Sequence, residues 1–270
     1  REALKLEPEN ATYAGHLIYV LKQAGQATAA IEFADEWLLQ GHTPNAVFWN
    51  GKGLAHDKLD QYEQYASYCR EALKLEPKDA TYAGNLVDAL KQAGQANAAI
   101  EFADEWLAQG HTPTNAYFWY RKGNAYDQLG QYEQYASCCR EALKLEPENT
   151  WCTGSLVHAL KQTGQAIEAI EFADEWLAQG HTPNAYFWNR KGLAHNQIGQ
   201  YEQVAACYRN ALKLEPKDAT YAGNLVYALK KAGQATAAIE FADEWLAQGY
   251  EPNEYFNDQL QQARSQLAIE

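Results

Sequence analysis

Histidines, cysteines and a recurrent acidic pair are the side chains with which this chain could do chemistry. His42, His111 and His181 stand in identical Gly-His-Thr-Pro turns. Helices that stack lie about 8–10 Å apart, so histidines two hairpins apart are about 20 Å apart and cannot share a metal ion. His56 and His195 fall on helix stripes with no second ligand at i+3 or i+4, which reads as packing. Cys69, Cys138, Cys139, Cys152 and Cys207 are odd in number and include no C-x-x-C pair, so they read as reduced core residues. The pairs Asp35/Glu36, Asp104/Glu105, Asp174/Glu175 and Asp243/Glu244 recur along the chain, which reads as a solvated outer face rather than one acid/base site. Gly51-Lys52-Gly53 is too short for a phosphate loop and lies inside a helical pattern. No nucleophile, oxyanion nest, metal cluster or cofactor motif is legible, and the sequence reads as non-enzymatic, with neither metal nor cofactor.

The elements that must position these residues are repeats. REALKLEP stands at 1–8, 70–77 and 140–147, with RNALKLEP at 209–216, and AIEFADEWL begins at Ala30, Ala99, Ala169 and Ala238. Both series are spaced by 69, 70 and 69 residues. One such unit is too long for a single helical hairpin, and it divides into halves A and B. In the third A half, which begins at Ala185, Trp188, Gly192, His195 and Ile198, then Tyr201, Val204, Tyr208, Ala211 and Leu212, recur at i+3 and i+4 around Gly199. That predicts two amphipathic helices and a tight turn. In the fourth B half Tyr221, Leu225, Val226 and Leu229 form one stripe and Ala238, Ile239, Ala242, Trp245 and Leu246 another, with the turn at Gly233. Asn10, Asp79, Asn149 and Asp218 stand where N-caps belong. Gly41, Gly110, Gly180 and Gly249, each followed by Pro44, Pro113, Pro183 or Pro252, stand where helices stop.

The chain carries a formal charge of −13 and a pI near 5.0. Such a field repels phosphate backbones and anionic lipid surfaces, so neither nucleic acid nor membrane is an expected partner. No apolar stretch approaches the roughly 20 residues that span a bilayer. Reduced cysteines and a soluble composition predict a cytoplasmic location. The absence of methionine and an opening that repeats a helix end predict residues ahead of Arg1, among which a targeting signal could lie.

Half A resembles the tetratricopeptide repeat, whose pattern is W-x2-L-G-x2-Y…A-x3-F…P over 34 residues. Trp188, Gly192, Gly199, Tyr201, Tyr208, Ala211 and Pro216 carry the resemblance in the third copy, and Trp119, Gly123, Gly130, Tyr132, Ala142 and Pro147 in the second. Asp60 replaces the turn glycine in the first copy, and Tyr65 stands at a usually small site. Half B departs further, with Ile18, Val87, Val157 and Val226 where the family has Gly or Ala, and Ala27, Ala96, Ala166 and Ala235 where it has an aromatic. The resemblance implies an all-α, right-handed solenoid of stacked antiparallel hairpins. Residues 1–10 then read as the end of a truncated upstream repeat, 11–252 as seven hairpins in the order B-A-B-A-B-A-B, and 253–270 as a capping helix. In the cap, Leu260, Ala263 and Leu267 are expected to pack inward while Asp258, Gln262, Arg264 and Gln266 face water.

The family also implies a non-enzymatic scaffold that holds a protein or peptide in a concave groove, lined by the second, fifth, ninth and twelfth positions of each first helix. In B the ninth position reads Tyr19, Asp88, His158 and Tyr227, and the twelfth Lys22, Lys91, Lys161 and Lys230. In A the fifth reads Asn50, Tyr120 and Asn189, the ninth Leu54, Asn124 and Leu193, and the twelfth Asp57, Asp127 and Asn196. Ninth and fifth positions vary while neighbouring core positions barely change. Lysines facing acids and amides fit a mixed-charge peptide rather than a basic tail. Asn85 and Asn224 match part of the family's carboxylate clamp, but its accompanying Lys and Arg set is absent. Two alternatives stand beside the scaffold: head-to-tail self-association into a fibre, and an RNA-binding helical repeat, against which the acidic charge argues.

Overall fold

The computed structural model describes residues 2–267, so the last three residues of the expected cap and Arg1 lie outside the described residues. The described residues form helices and turns, with no strand among them, in two compact units, Arg1–Glu146 and Pro147–Glu270. Unit 1 holds α1 (Glu2–Leu6), α2 (Ala11–Gln23), α3 (Ala27–Leu39), α4 (Ala46–Asp57), α5 (Tyr62–Leu75), α6 (Ala80–Gln92), α7 (Ala96–Ala108), α8 (Ala116–Gln128) and α9 (Tyr132–Leu145). Unit 2 holds α10 (Thr150–Gln162), α11 (Ala166–Ala178), α12 (Ala185–Gln197), α13 (Tyr201–Leu214), α14 (Ala219–Lys231), α15 (Ala235–Ala247) and α16 (Glu254–Leu267). In unit 1 each helix packs on the next, and the first helices of a B half and the A half after it also meet, α2 on α4 and α6 on α8. Unit 2 repeats the pattern, with α10 on α12 and α14 on α16.

The caps explain where helices begin. The side chains of Asn10 and Asp79 each accept two backbone N–H groups of the following turn, and Asn149 and Asp218 accept one each. Asn45, Asn184 and Asn253 do the same for α4, α12 and α16, accepting the amides of Phe48, Phe187 and Phe256. Asn115, preceded by the extra Thr114 that lengthens this copy to 70 residues, caps nothing, and its Oδ1 is buried without a hydrogen bond. Glu146 at the end of α9 takes over the task, its carboxylate accepting Ala116 N at 3.1 Å.

The A-half turn is closed by Gly130 and Gly199 at φ 68° and 72°, and by Asp60 at φ 57° in the first copy. A side chain in the left-handed region is disfavoured, and here the Asp60 carboxylate accepts the Tyr62 hydroxyl at 2.5 Å. Asp60→Gly removes both the conformational cost and that bond, so it is expected to raise stability by about 0.5 kcal/mol, read from the midpoint of urea unfolding.

Each B half is fixed to the turn before it by one tryptophan. Trp37, Trp106, Trp176 and Trp245 donate Nε1–H to the carbonyls of Pro8, Pro77, Pro147 and Pro216 at 2.8, 2.8, 2.8 and 2.9 Å. Their rings pack on Phe48, Phe118, Phe187 and Phe256, with centroids 4.8–5.1 Å apart. His42, His111 and His181 lie 4.7–4.9 Å from the same rings, so these histidines are lids on the core. Ile18, Val87, Val157 and Val226 are fully buried, and so nearly are Ala27, Ala96, Ala166 and Ala235. Tyr65 and Tyr135 are fully buried beside Cys69 and Cys139, whereas the third copy has Val204 there and moves the aromatic one turn on to Tyr208. Exchanging large for small across one turn keeps the volume filled.

One expectation is corrected. The recurrent acidic pairs are not simply a solvated face: Asp35, Asp104 and Asp174 are about half exposed and each receives the ammonium of a buried lysine, Lys52, Lys122 or Lys191. Asp243 pairs instead with Arg264 at 2.8 Å. A buried ammonium needs a carboxylate within reach, because desolvation without a partner is costly. In α16, Leu260 and Ala263 are buried, but Leu267 is 42% exposed, so the inward stripe ends a turn earlier than expected.

Candidate functional site

His56 and His195 are buried and held through Nδ1 by Gln61 and Gln200 at 2.6 and 2.7 Å. Burial lowers both imidazole pKa values, which keeps the rings neutral in the core. All five cysteines are buried, and burial pushes the Cys138 and Cys207 thiols up to about 12, so those two are poor nucleophiles. Among the described residues no group of three or more His, Cys, Asp or Glu side chains is placed to hold a metal ion. No helix among them is long and apolar enough to cross a membrane.

Attention therefore falls on the first helices, α2, α4, α6, α8, α10, α12 and α14. Of the residues expected there, Tyr19 is 45% exposed, with the Lys22 ammonium 4.6 Å from its ring centroid. Asn50, Leu54, Asp57, Lys91, Tyr120, Asn124, Asp127, His158, Lys161, Asn189, Leu193, Asn196 and Tyr227 are half-buried. Lys22, Asp88 and Lys230 are buried, so their outer atoms alone can meet a ligand.

In unit 1 the structure brings several of these together. Asp88, 4% exposed, accepts Arg121 Nη1 at 3.0 Å and lies 3.3 Å from Lys91 Nζ. The Arg121 guanidinium lies 4.8 Å from the Tyr117 ring centroid. The Tyr117 hydroxyl donates to Asn85 Oδ1 at 2.6 Å, and Asn85 Nδ2 donates to Asn50 Oδ1 at 2.7 Å. A polar chain thus crosses α4, α6 and α8. Burial, and then the charge of Asp88, raise the carboxyl pKa of Asp57 at its edge.

Unit 2 keeps the frame and changes the charges. His158 replaces Asp88, with Nδ1 3.4 Å from Arg190 Nη1, and the Arg190 guanidinium lies 4.7 Å from the Tyr186 ring centroid. Ser155 replaces Asn85, 3.4 Å from the Tyr186 hydroxyl, and the Tyr208 hydroxyl donates to Asn189 Oδ1 at 3.1 Å. Farther along the unit, Tyr255 donates to Asn224 at 2.9 Å, while Lys230 donates to Gln259 and Gln262 at 3.0 and 2.5 Å.

The tyrosines of this frame lie against glycines. A Cβ on Gly84, Gly154 or Gly223 would stand 2.7–2.8 Å from a ring carbon of Tyr117, Tyr186 or Tyr255, closer than side-chain atoms approach. Arg121, Arg190 and these tyrosines were not singled out by the sequence reading, although a signal existed: the arginine site reads Gly51 and Gln259 in the other copies. Trp151 is a similar case. It is 54% exposed at the second position of α10, where the other B halves have threonine, and its ring centroid is 4.9 Å from that of Tyr186.

Family models of the tetratricopeptide repeat match residues 46–79, 116–149 and 185–218, the three A halves. These three segments are tetratricopeptide repeats. It is 23% identical over 196 residues to a TPR repeat-containing protein of Methanocaldococcus jannaschii, covering 70% of this chain and 34% of that one. It is 22% identical over 268 residues to tetratricopeptide repeat protein 37 of Xenopus laevis, covering 91% of this chain and 17% of that one. The chain therefore spans about a third or less of the curated relatives it matches. A tetratricopeptide repeat protein of Parabacteroides merdae has the same fold, with a TM-score of 0.64 at 13% identity over 93% of this chain and 98% of that one. The tetratricopeptide fold is that of a protein–protein interaction scaffold, and such proteins are generally non-catalytic.

Proposed function

We propose that the chain holds a peptide or an extended protein segment along the first-helix faces of its hairpins, in a larger assembly or a larger protein. The division of residues 11–252 into seven hairpins with 253–270 as a cap belongs to the same reading. One observation carries it. Tryptophan, phenylalanine and proline contacts in the core recur from copy to copy, while the ninth B position changes from Tyr19 to Asp88, His158 and Tyr227. Identical packing beneath different chemistry is what graded recognition along an extended ligand requires.

The test is selection of peptides from a random display library on the immobilised chain, followed by affinity measurement. Tyr120→Ala with Tyr227→Ala is expected to weaken selected peptides by about tenfold to a hundredfold, since interfacial aromatics dominate binding energy. Ile167→Ala, on an exposed site of α11, is expected to leave binding unchanged. Equal loss in both variants, or no loss with the tyrosines, would sink the reading. Sedimentation at rising concentration separates this from self-association, which would show growing particles.

A further inference from the structure

Each unit has a cleft lined mainly by second helices, where an A half meets the B half after it. In unit 1 it encloses about 340 Å³ between α5 and α7, and in unit 2 about 360 Å³ between α13 and α15. The floors match: Leu73, Leu86, Phe102 and Trp106 in one, Leu212, Leu225, Phe241 and Trp245 in the other. The rims differ. In unit 1 the Lys74 ammonium is held by Glu71 at 2.6 Å, and Glu105 lines the cleft. In unit 2 Asn210 stands where unit 1 has Glu71, so Lys213 donates to a neutral amide at 3.0 Å, and none of the described lining residues is an acid. Arg209 shares that rim and forms no ion pair among the described residues. Tyr250, where unit 1 has His111, adds its ring to the floor, with its centroid 5.3 Å from that of Trp245. A hollow that shares Gln248 and Tyr250 continues the cleft to Lys217 and Glu251, whose opposite charges leave that end neutral on balance.

We propose that the unit 2 cleft binds a small organic acid with one apolar ring, the ring on Phe241, Trp245 and Tyr250 and the anion at Arg209 and Lys213. The volume is at the lower end of pockets that hold small molecules, and it suits one ring with a short acidic arm rather than an extended chain. Phe241 and Tyr250 are half-buried, so a ring laid on them removes apolar surface from water. Arg209 and Lys213 are four residues apart on α13 and so lie on one side of that helix, beside the floor. An apolar wall concentrates the field of the two cations on whatever enters the cleft, and the carboxylate that quenches the lysine in unit 1 is replaced here by an amide. Unit 1 is the internal control: the same floor lies under a rim that carries Glu71 and Glu105, which repel an anion. The site is distinct from the peptide-holding faces and does not depend on that reading.

The experiment follows the indole N–H resonances of the full chain by NMR, with Trp245→Phe and Trp106→Phe assigning the two signals that matter. The probes are phenylbutyrate and its neutral amide, phenylbutyramide. Phenylbutyrate is expected to shift Trp245 saturably with a Kd on the order of 1 mM, as befits a ligand of its size, and to leave Trp106 nearly unmoved. The amide is expected to bind about fivefold more weakly. Asn210→Glu rebuilds the unit 1 rim without touching the floor and is expected to weaken phenylbutyrate about fivefold, and Arg209→Gln gives a second route to the same loss. Glu71→Asn makes the reverse change and is expected to strengthen the response of Trp106. Circular dichroism confirms the folding of every variant. No saturable shift of Trp245, equal affinity for the amide, an equal response of Trp106, or undiminished binding in both Asn210→Glu and Arg209→Gln would overturn the assignment. So would an end-capped Ala-Phe-Glu-Ala peptide that shifts Trp245 at lower concentration than phenylbutyrate, because the cleft would then belong to a protein partner. Display-selected peptides that still bind when this site fails leave the groove reading standing, and their failure leaves the cleft untouched.

Discussion

Trp106→Ala is expected to destabilise unit 1 by about 4 kcal/mol, the range found when a buried large aromatic is deleted. The ring is buried, packs at a tilt against Phe118 and His111, and its Nε1–H donates to the Pro77 carbonyl 29 residues back. Deletion therefore removes apolar contact with α8 and unlocks the turn between α5 and α6. Trp106→Phe separates the two contributions. It keeps much of the packing and leaves the carbonyl without its donor, with an expected loss of about 1–2 kcal/mol. Urea unfolding followed by far-ultraviolet circular dichroism measures both. Equal losses for the two substitutions would mean that the hydrogen bond, not the ring, fixes the junction.

The second large effect is at Gly84, where α6 and α8 approach. Alanine is the better helix former by about 1 kcal/mol, so a glycine here must be explained by space rather than propensity. The added Cβ would lie 2.8 Å from Tyr117 Cδ1 and 2.9 Å from Cε1. The ring is held by its hydroxyl on Asn85 and by the guanidinium of Arg121, so it cannot move aside without disturbing the Asp88 ion pair. Gly84→Ala is expected to cost about 1–3 kcal/mol net of the propensity gain. The decisive result is the double substitution: with Tyr117→Ala also made, Gly84→Ala should cost nothing or stabilise. A cost that survives the loss of the tyrosine would place the constraint in the backbone of α8 instead.

What the sequence shows by itself is whatever depends on residues close together along the chain. The Asp79 and Asp218 caps lie within three residues of the amides they satisfy, and the turn glycines act on their own backbone. What it hides depends on where a long side chain points. Lys122 reaches Asp104, 18 residues away, Trp106 reaches Pro77 and Arg121 reaches Asp88, 33 away. Spacing puts such residues on the same face of neighbouring helices, but not within bonding distance of each other. Hence the acidic pairs read as solvated, and the ladder of Arg121, Tyr117, Asn85 and Asn50 went unseen. Asn115 keeps the place before its helix that Asn45 and Asn184 have, but with the inserted Thr114 ahead of it its side chain makes no cap bond, and an acid from another helix stands in.

The tryptophan-to-proline bond has a further consequence for how such a chain can change through descent. Each B half finds its anchor in the E-P turn just before it, and each supplies the phenylalanine of the next half with the same indole surface. A duplicated or deleted 69-residue stretch therefore meets, at its new junction, the same contacts that the old junction had. Array length becomes a quantity that recombination can alter in whole steps without redesigning the interior. Point substitutions at the ligand-facing positions are then free to diversify one copy at a time.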